Sequence, residues 1–311
     1  MKKFGICFSK EFAGTQPLGH IGEKLPVYLR LLEMCQKQGW EVYVLTQKTY
    51  KGNGIFEGAW LFSGNKFEKK EESIKIDLVY DRTGGIKFPP DEDKLGVVNI
   101  RDFKILCWNK WLAYKEIGKY MPKTFWVGER KNLESVSPRI KSDWVVLKPY
   151  NGLKGLGVFI GLTEKAQHFE FVGKNPKYIA QEFVDTSAGI SGIIEGHHDL
   201  RIAVINGKAA WCHVRTPKKG SLKANVAEGG ILTEVDYNKV PQSVKHIVKD
   251  ISNRFYKKYD NPLYSIDFGI EKRKPFVFEI NDSIGFPKWE MKGREKFLKE
   301  MVNSFSSKLI K

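Results

Sequence analysis

No stretch of about 18 consecutive apolar residues occurs in this 311-residue chain, so no membrane-crossing helix is expected. The N-terminal run Met1-Lys2-Lys3-Phe4-Gly5-Ile6-Cys7-Phe8 has an apolar part too short for a signal peptide and reads better as a first β-strand. Cysteine is scarce. Cys7, Cys35, Cys107 and Cys212 are the only four, and none sits at a paired spacing. That argues against a zinc site or a disulfide framework and fits a reducing cytoplasm. Internal repeats and low-complexity segments are absent. Acids are few beside bases: 36 Asp plus Glu against 52 Lys plus Arg, a net charge of +16. Such an excess concentrates anionic partners, among them nucleotides, nucleic acid, acidic peptides and anionic polysaccharides. The lysines are scattered rather than gathered into one tail, which a generally Lys-rich chain also shows. No RNA- or DNA-binding motif is present, so nucleic acid is not an expected partner.

What the chain does have is enough apolar material, 41% of residues, for two domains or one large one. Residues 3–8 and 41–45 read as strands around a helix over 22–38, whose periodic residues are Leu25, Tyr28, Leu29, Leu32 and Cys35 and which Gly39 ends. This β-α-β unit opens a parallel α/β domain. Residues 52–75 suggest a small antiparallel excursion, 76–80 and 97–100 two more strands, and about 105–118 a helix. From Pro122 short strands predominate: 144–148, 158–161, 178–184, 200–205 and 208–214, the last two joined by Asn206-Gly207, a strong hairpin signal. A helix from about Pro287 to residue 310 closes the chain.

The chemistry gathers late. Tyr264–Ile270 and Phe276–Asn281 form two strands around a turn near Arg273. Residues two apart on a strand share a face, so Glu279 and Asn281 point the same way. A hairpin folded at that turn sets Asp267 opposite Glu279. Phe268, Ile270, Phe276, Phe278 and Ile280 would then face the core. Two carboxylates and an amide oxygen at one place suit Mg²⁺, although alternation of this kind is also what an ordinary half-exposed hairpin shows.

Upstream, Val145–Val158 delivers Lys148 and then a glycine-rich loop with Lys154, Gly155 and Gly157. Glycines let backbone N–H groups approach phosphate oxygens, and lysines supply point charges. The pattern is neither a Walker loop nor a dinucleotide fingerprint, and it also fits a plain hairpin turn. Tyr178–Val184 is a strand interrupted by the polar pair Gln181-Glu182. His198-Asp199-Leu200-Arg201 leads into the Asn-Gly hairpin, and residues 215–223 hold four cations and no acid. That segment reads as a solvated basic loop or as a clamp on a moving phosphoryl group. His197 and His198 read as exposed turn residues.

In this order the pieces resemble the ATP-grasp superfamily over about residues 98–290, most nearly its glutathione synthetase and ribosomal-protein glutamate ligase branch. Glu279-Ile280-Asn281-Asp282-Ser283-Ile284-Gly285 resembles that branch's Glu-x-Asn-x-Ser-x-Gly ending. Tyr80-Asp81-Arg82 and Asn109-Lys110-Trp111 with Tyr114 are similar to spore-coat-associated members. The resemblance implies α/β plus α+β architecture: an ATP-grasp fold preceded by a small Rossmann-like α/β domain, with residues 1–100 forming the first domain and 101–311 the grasp. Within the grasp it implies a lid over about 122–184 and a metal-binding part over about 185–311. It implies that Lys110 and Lys148 hold ATP phosphates under the loop of Lys154, Gly155 and Gly157. Gln181, Glu182, Phe183 and Val184 would bind adenine, and Asp267, Glu279 and Asn281 would bind two Mg²⁺ ions, with Mn²⁺ as a substitute. Arg215, Lys223 and Asn225 would face the γ-phosphate and an acyl phosphate, with Asp199 and Arg201 near the substrate. Lys223 stands where the branch often has arginine, and Ser265 where some ligases do.

The implied activity is ATP-dependent joining of a carboxylate and an amine. The positive charge and the basic 215–223 segment point to an acidic acceptor, a peptide or polymer end, with the Gly14–Gly22 loop around His20 helping to line its site. Alternatives are a kinase of the same fold and a non-catalytic nucleotide-binding coat-associated protein.

Overall fold

The computed structural model describes residues 1–10, 16–64, 66–88, 95–152, 155–218, 220–222 and 229–309. The β-α-β opening forms as β1 (Lys3–Phe8), α1 (Leu25–Gln36) and β2 (Glu41–Thr46). Pro26 fits the first turn of α1, where its missing N–H costs nothing, and Gly39 ends the segment with φ at +79°. The antiparallel excursion is β3 (Tyr50–Gly52), β4 (Ile55–Ser63) and β5 (Lys66–Lys75), followed by β6 (Leu78–Asp81) and β7 (Gly96–Val98). The sheet runs β3-β4-β2-β1-β6-β7, with β5 on β4. The β2-β1-β6-β7 part is parallel, and β4 joins β2 antiparallel.

The periodicity predicts one helix over about 105–118, and the structure has two, α2 (Arg101–Trp108) and α3 (Lys110–Ile117). Asn109 interrupts them. Its backbone is extended, and its Oδ1 accepts from the N–H groups of Trp111 and Leu112 at 3.1 and 3.0 Å, a side-chain N-cap. The break places Lys110 at the start of α3.

A second sheet, order β10-β9-β11-β8, is antiparallel and carries two short helices: β8 (Thr124–Gly128), α4 (Leu133–Val136), β9 (Trp144–Pro149), β10 (Phe159–Leu162), α5 (Thr163–Ala166) and β11 (Tyr178–Glu182). Phe125, Val127, Val145, Leu147 and Tyr178 give it its own core. The third sheet, order β14-β13-β12-β15-β16, is also antiparallel: β12 (Asp199–Ile205), β13 (Lys208–Thr216), β14 (Ile231–Glu234), then α6 (Gln242–Lys258), β15 (Tyr264–Glu271) and β16 (Lys274–Asn281). The Asn206-Gly207 turn has φ at +53° and +69°, as a two-residue hairpin loop requires. Lys272 and Arg273 adopt the same signs (+46° and +71°) with no glycine.

Helix α6, which the sequence reading leaves unassigned, packs Val244, Ile247, Val248, Ile251 and Phe255 under the third sheet against Ile202, Tyr264 and Phe268. The closing helix α7 (Arg294–Leu309) starts later than Pro287. Its Phe305 ring lies 4.7 Å from Phe4 of β1 and 5.3 Å from Tyr80 of β6, and the same core takes in Ala203 and Ile205 of β12. The first and third sheets therefore share one core, in which each fully buried large apolar side chain contributes about 1.5–3 kcal/mol. Among the described residues no helix is long and apolar enough to cross a membrane.

Candidate active site

The turn at Lys272-Arg273 fixes the register of β15 on β16 and sets Asp267 opposite Glu279. The next strands continue the same row: Asp267 opposite Arg201, Arg201 opposite His213, His213 opposite Glu234. One line of polar side chains thus crosses all five strands of the third sheet. The expected apolar face needs one correction. Phe268, Ile270 and Ile280 are buried, but Phe278 lines the cleft and Phe276 is half-buried, while Val277 takes the core position. A bulge is the cause: after the Asp267–Glu279 pair the next partners are Phe268 and Val277, so Phe278 is the extra residue. Its ring covers Gly269, where a Cβ would lie 2.0 Å from it.

Asp267 is 3% exposed. Arg201 grips it with two bonds, Nε to Oδ1 at 2.6 Å and Nη2 to Oδ2 at 2.5 Å, and Arg215 Nη2 reaches Oδ2 at 2.9 Å. Burial alone would raise this carboxyl, but the two guanidinium groups outweigh it and hold it ionised, below the usual carboxylate range. Asp199 pairs with Arg215. Burial, then the charge of Asp267, pushes the Asp199 carboxyl up.

Lys110 and Lys148 arrive from other elements. The Lys110 ammonium lies 2.9 Å from Glu279 Oε1 and donates to the Gly152 carbonyl at 2.7 Å, while its backbone N–H donates to the Tyr150 carbonyl at 2.8 Å. Lys148 donates to Gln181 Oε1 at 2.8 Å, and Gln181 Nε2 donates to Thr124 Oγ1 at 2.8 Å. The Gln181 side chain is therefore spent on orienting Lys148. Burial lowers the Lys148 ammonium to about 8, against a pull upward from Glu279 and with a push downward from Lys110.

These groups face a cleft of about 580 Å³ lined by Lys110, Lys148, Gly155, Asp199, Arg201, Arg215, Asp267, Glu279 and Asn281. A second cavity of about 200 Å³ is lined by Gln181, Glu182, Phe183 and Val184. Lys148, Val158, Asp199 and Phe278 border both, so the two spaces are neighbours. Gly157 is not among the lining residues. Its φ of +70° makes the turn, and a Cβ there would lie 2.7 Å from Tyr178 Oη. Lys154, Lys223 and Asn225 lie outside the described residues, as does Gly14. His20 packs edge-on to Phe8 at 4.8 Å.

The cleft is also lined by residues the sequence reading leaves out: Lys24, Trp211, His213, Phe286 and Lys288. Trp211 and His213 share a strand face with Arg215 by simple alternation, a signal present in the sequence. Burial, and then the charges of Arg82, Lys288 and Arg201, lowers the Lys24 ammonium.

The donor set fits magnesium. Among the described residues no three His, Cys, Asp or Glu side chains are grouped as metal ligands; beside the carboxylates of Asp267 and Glu279 the remaining hard donor at this place is an amide oxygen. Asn281 supplies one. Its Nδ2 donates to Asp267 Oδ2 at 3.3 Å, which leaves its Oδ1 able to accept. Glu279, 29% exposed in its side chain, is the more open of the two carboxylates.

Residues 102–305 match the model of the RimK-like ATP-grasp domain. A probable alpha-L-glutamate ligase 2 of Pseudoalteromonas atlantica is 25% identical over 177 residues, 56% of this chain and 53% of that one. A probable alpha-L-glutamate ligase of Aliivibrio salmonicida is 23% identical over 275 residues, 82% and 83% of the two chains. This chain thus spans about half the length of the first of these relatives and of several like it. D-alanyl-alanine synthetase A from Vibrio cholerae superimposes with a TM-score of 0.65 at 11% identity, covering 100% of this chain and 99% of that one. A RimK domain protein ATP-grasp from Sphaerobacter thermophilus does so at 0.64 and 14% identity, covering 97% and 98%. At such identities these structures speak for the fold. With two thirds of its length matched by the family model, the chain belongs to the RimK-like ATP-grasp family.

Proposed function

We propose that the protein is an ATP- and magnesium-dependent ligase that activates a carboxylate as an acyl phosphate and joins it to an amine. One observation carries this assignment. The oxygen donors Asp267, Glu279 and Asn281, the lysines Lys110 and Lys148, and the arginines Arg201 and Arg215 all line one cleft, and that cleft adjoins a smaller cavity at residues 181–184. The names of its relatives favour a ligase over a kinase. We assign residues 1–100 to the first domain and 122–184 to a lid over the nucleotide.

The base of ATP would sit in the smaller cavity beside Glu182, Phe183 and Val184, with its triphosphate at Lys148 and Lys110. Asp267, Glu279 and Asn281 would hold magnesium, which when bound neutralises phosphate charge. A substrate carboxylate oxygen attacks the γ-phosphorus and the bond to ADP breaks. The amine, having given the extra proton of its ammonium form to solvent, then attacks the acyl carbon; the bond from that carbon to the phosphate oxygen breaks, and phosphate leaves with the proton the nitrogen sheds. Arg215 stabilises the moving phosphoryl group. This chemistry needs positioning and charge rather than a nucleophilic side chain. Among the described residues Asp199 Oδ1, His213 Nδ1 and Arg215 Nε are buried at this site without a hydrogen-bond partner. Such groups are normally satisfied, and a substrate would do so here. Lys24, Lys288 and the net charge of +16 favour an acidic acceptor. ADP release screened against amino acids and acidic peptides, with mass spectrometry of the products, tests the assignment. An amide product supports it. A stable phosphorylated product without an amide would mean a kinase, and binding without turnover a non-catalytic protein.

A pH dependence follows from Lys148. Its charged form binds phosphate, and in the free protein it loses its proton near pH 8. Below pH 7 ADP should bind with no proton uptake at this group. Above pH 8 binding must return the proton, and Kd should rise by up to about tenfold per pH unit. Calorimetry in buffers of different ionisation enthalpy measures this uptake, and Lys148→Met should remove it.

A further inference from the structure

Asp282, Ser283, Gly285 and Phe286 follow directly on Asn281 and form part of the cleft wall. The groups that hold this segment come from the first sheet and the chain just after it. Lys104 of α2 is buried with its ammonium 3.0 Å from Asp81, the last residue of β6, and 3.0 Å from Asp282. The next residue after Asp81 continues the tie. Arg82 Nη1 donates to Ser283 Oγ at 2.8 Å and to the Ile284 carbonyl at 2.9 Å. Asn99 Nδ2 donates to the Asp282 carbonyl at 3.1 Å and to the Leu263 carbonyl at 2.6 Å, and its Oδ1 accepts from the Leu263 N–H at 2.7 Å. Three consecutive residues after the hairpin, and the one that leads into β15, are each bound to this region.

A surface loop normally satisfies its polar groups with water. Here two carboxylates share one buried cation instead. Apolar residues of similar volume often stabilise a fold as well as a buried ion pair does. What charged and hydrogen-bonded contacts add is direction, and the atoms they direct stand one residue from Asn281 and three from Glu279. We propose that Asp81, Arg82 and Lys104 are positioning residues: they fix the exit of the β15–β16 hairpin against the first sheet, so that magnesium binding at Glu279 and Asn281 depends on them. This gives the Tyr80-Asp81-Arg82 segment a role, and it rests on the magnesium assignment made above. Groups that orient metal ligands typically change metal affinity by about 10–100-fold when removed.

The test uses the full chain, with ADP as probe, in calorimetric titrations over a range of magnesium chloride concentrations. Lys104→Met breaks the buried triad. Arg82→Met leaves the Asp81–Lys104–Asp282 ion pairs intact, ends the Arg82 contacts with Tyr80 and Phe286 as well, and is the milder variant; thermal unfolding checks that it is folded. In both, the magnesium concentration that half-maximally tightens ADP binding should rise by about tenfold or more. ADP affinity without magnesium should stay at the native value, because Lys110, Lys148 and residues 182–184 lie outside the network. Unchanged magnesium dependence in Arg82→Met overturns the proposal. So does an equal loss of affinity with and without magnesium, which general loosening of the fold would give. If native ADP binding ignores magnesium, the metal assignment fails first and the proposal with it.

Discussion

Glu279→Ala is expected to cut ADP formation by on the order of 10³-fold, the loss typical of removing one group that stabilises charge in the transition state. The same change should lower the melting temperature by only a few degrees. Glu279 is only partly buried, and its ion-pair partner Lys110 keeps a second contact at the Gly152 carbonyl. The pair is largely buried, its side chains 11% and 29% exposed, and with the Gly152 contact kept its loss should cost on the order of 1–2 kcal/mol. Activity and stability therefore separate at this residue, which a merely structural acid on a hairpin would not allow. Glu279→Gln keeps the shape and loses the charge, and should fall between the two. ADP release together with thermal unfolding by circular dichroism reads both quantities, and near-native turnover in Glu279→Ala would remove the metal assignment.

Arg201→Met should have the opposite character. Asp267 is buried and held by Arg201 through two bonds and by Arg215 through one. Removing Arg201 strands much of that charge, and breaking a buried pair by removing one partner costs about 3–5 kcal/mol. In the native protein Asp267 is held below its unfolded value, so its contribution is present above the ordinary carboxylate range and is lost as pH falls through the folded value. Without Arg201, burial should lift the Asp267 carboxyl instead. The folded variant then takes up a proton at a higher pH, and its deficit should shrink as pH is lowered from 8 to 5. Asp199 adds a background of known direction. Its carboxyl is raised in the folded state, so its share of stability is present at low pH and is lost as pH rises through the folded value. Urea unfolding of native, Arg201→Met and Arg201→Met/Asp199→Asn proteins at several pH values separates the two. A pH-independent deficit in the variants would contradict the account of the Asp267 cluster.

How much of this was open to a reader of the sequence differs from residue to residue. The facing of Asp267 and Glu279 was, because a short turn between alternating strands fixes its own register. The position of Phe278 was not, because a bulge inserts one residue and reverses the alternation beyond it. The break at Asn109 was readable as a cap within a helical stretch, and it decides where Lys110 starts its helix. Helix α6 was equally readable, since Val244, Ile247, Val248, Ile251 and Phe255 follow helical spacing. Gln181 could be seen as an unusual polar residue in a strand, but its partners Lys148 and Thr124 lie on neighbouring strands that only pairing identifies. Lys24, Phe286 and Lys288 reach the cleft because the third sheet shares a core with the first through α7, a contact between the two ends of the chain that no local pattern encodes.

The claim on which the rest depends is that the end of the β15–β16 hairpin grips metal and nucleotide together. Diffraction from crystals grown with ADP and manganese, recorded at a wavelength where manganese scatters anomalously, tests it directly. The expected result is anomalous density within roughly 2.0–2.3 Å of oxygens from Glu279, Asp267 and Asn281, with the ADP phosphates between that density and Lys148. Nucleotide bound with its phosphates turned away from the hairpin, or manganese density elsewhere in the chain, would contradict it.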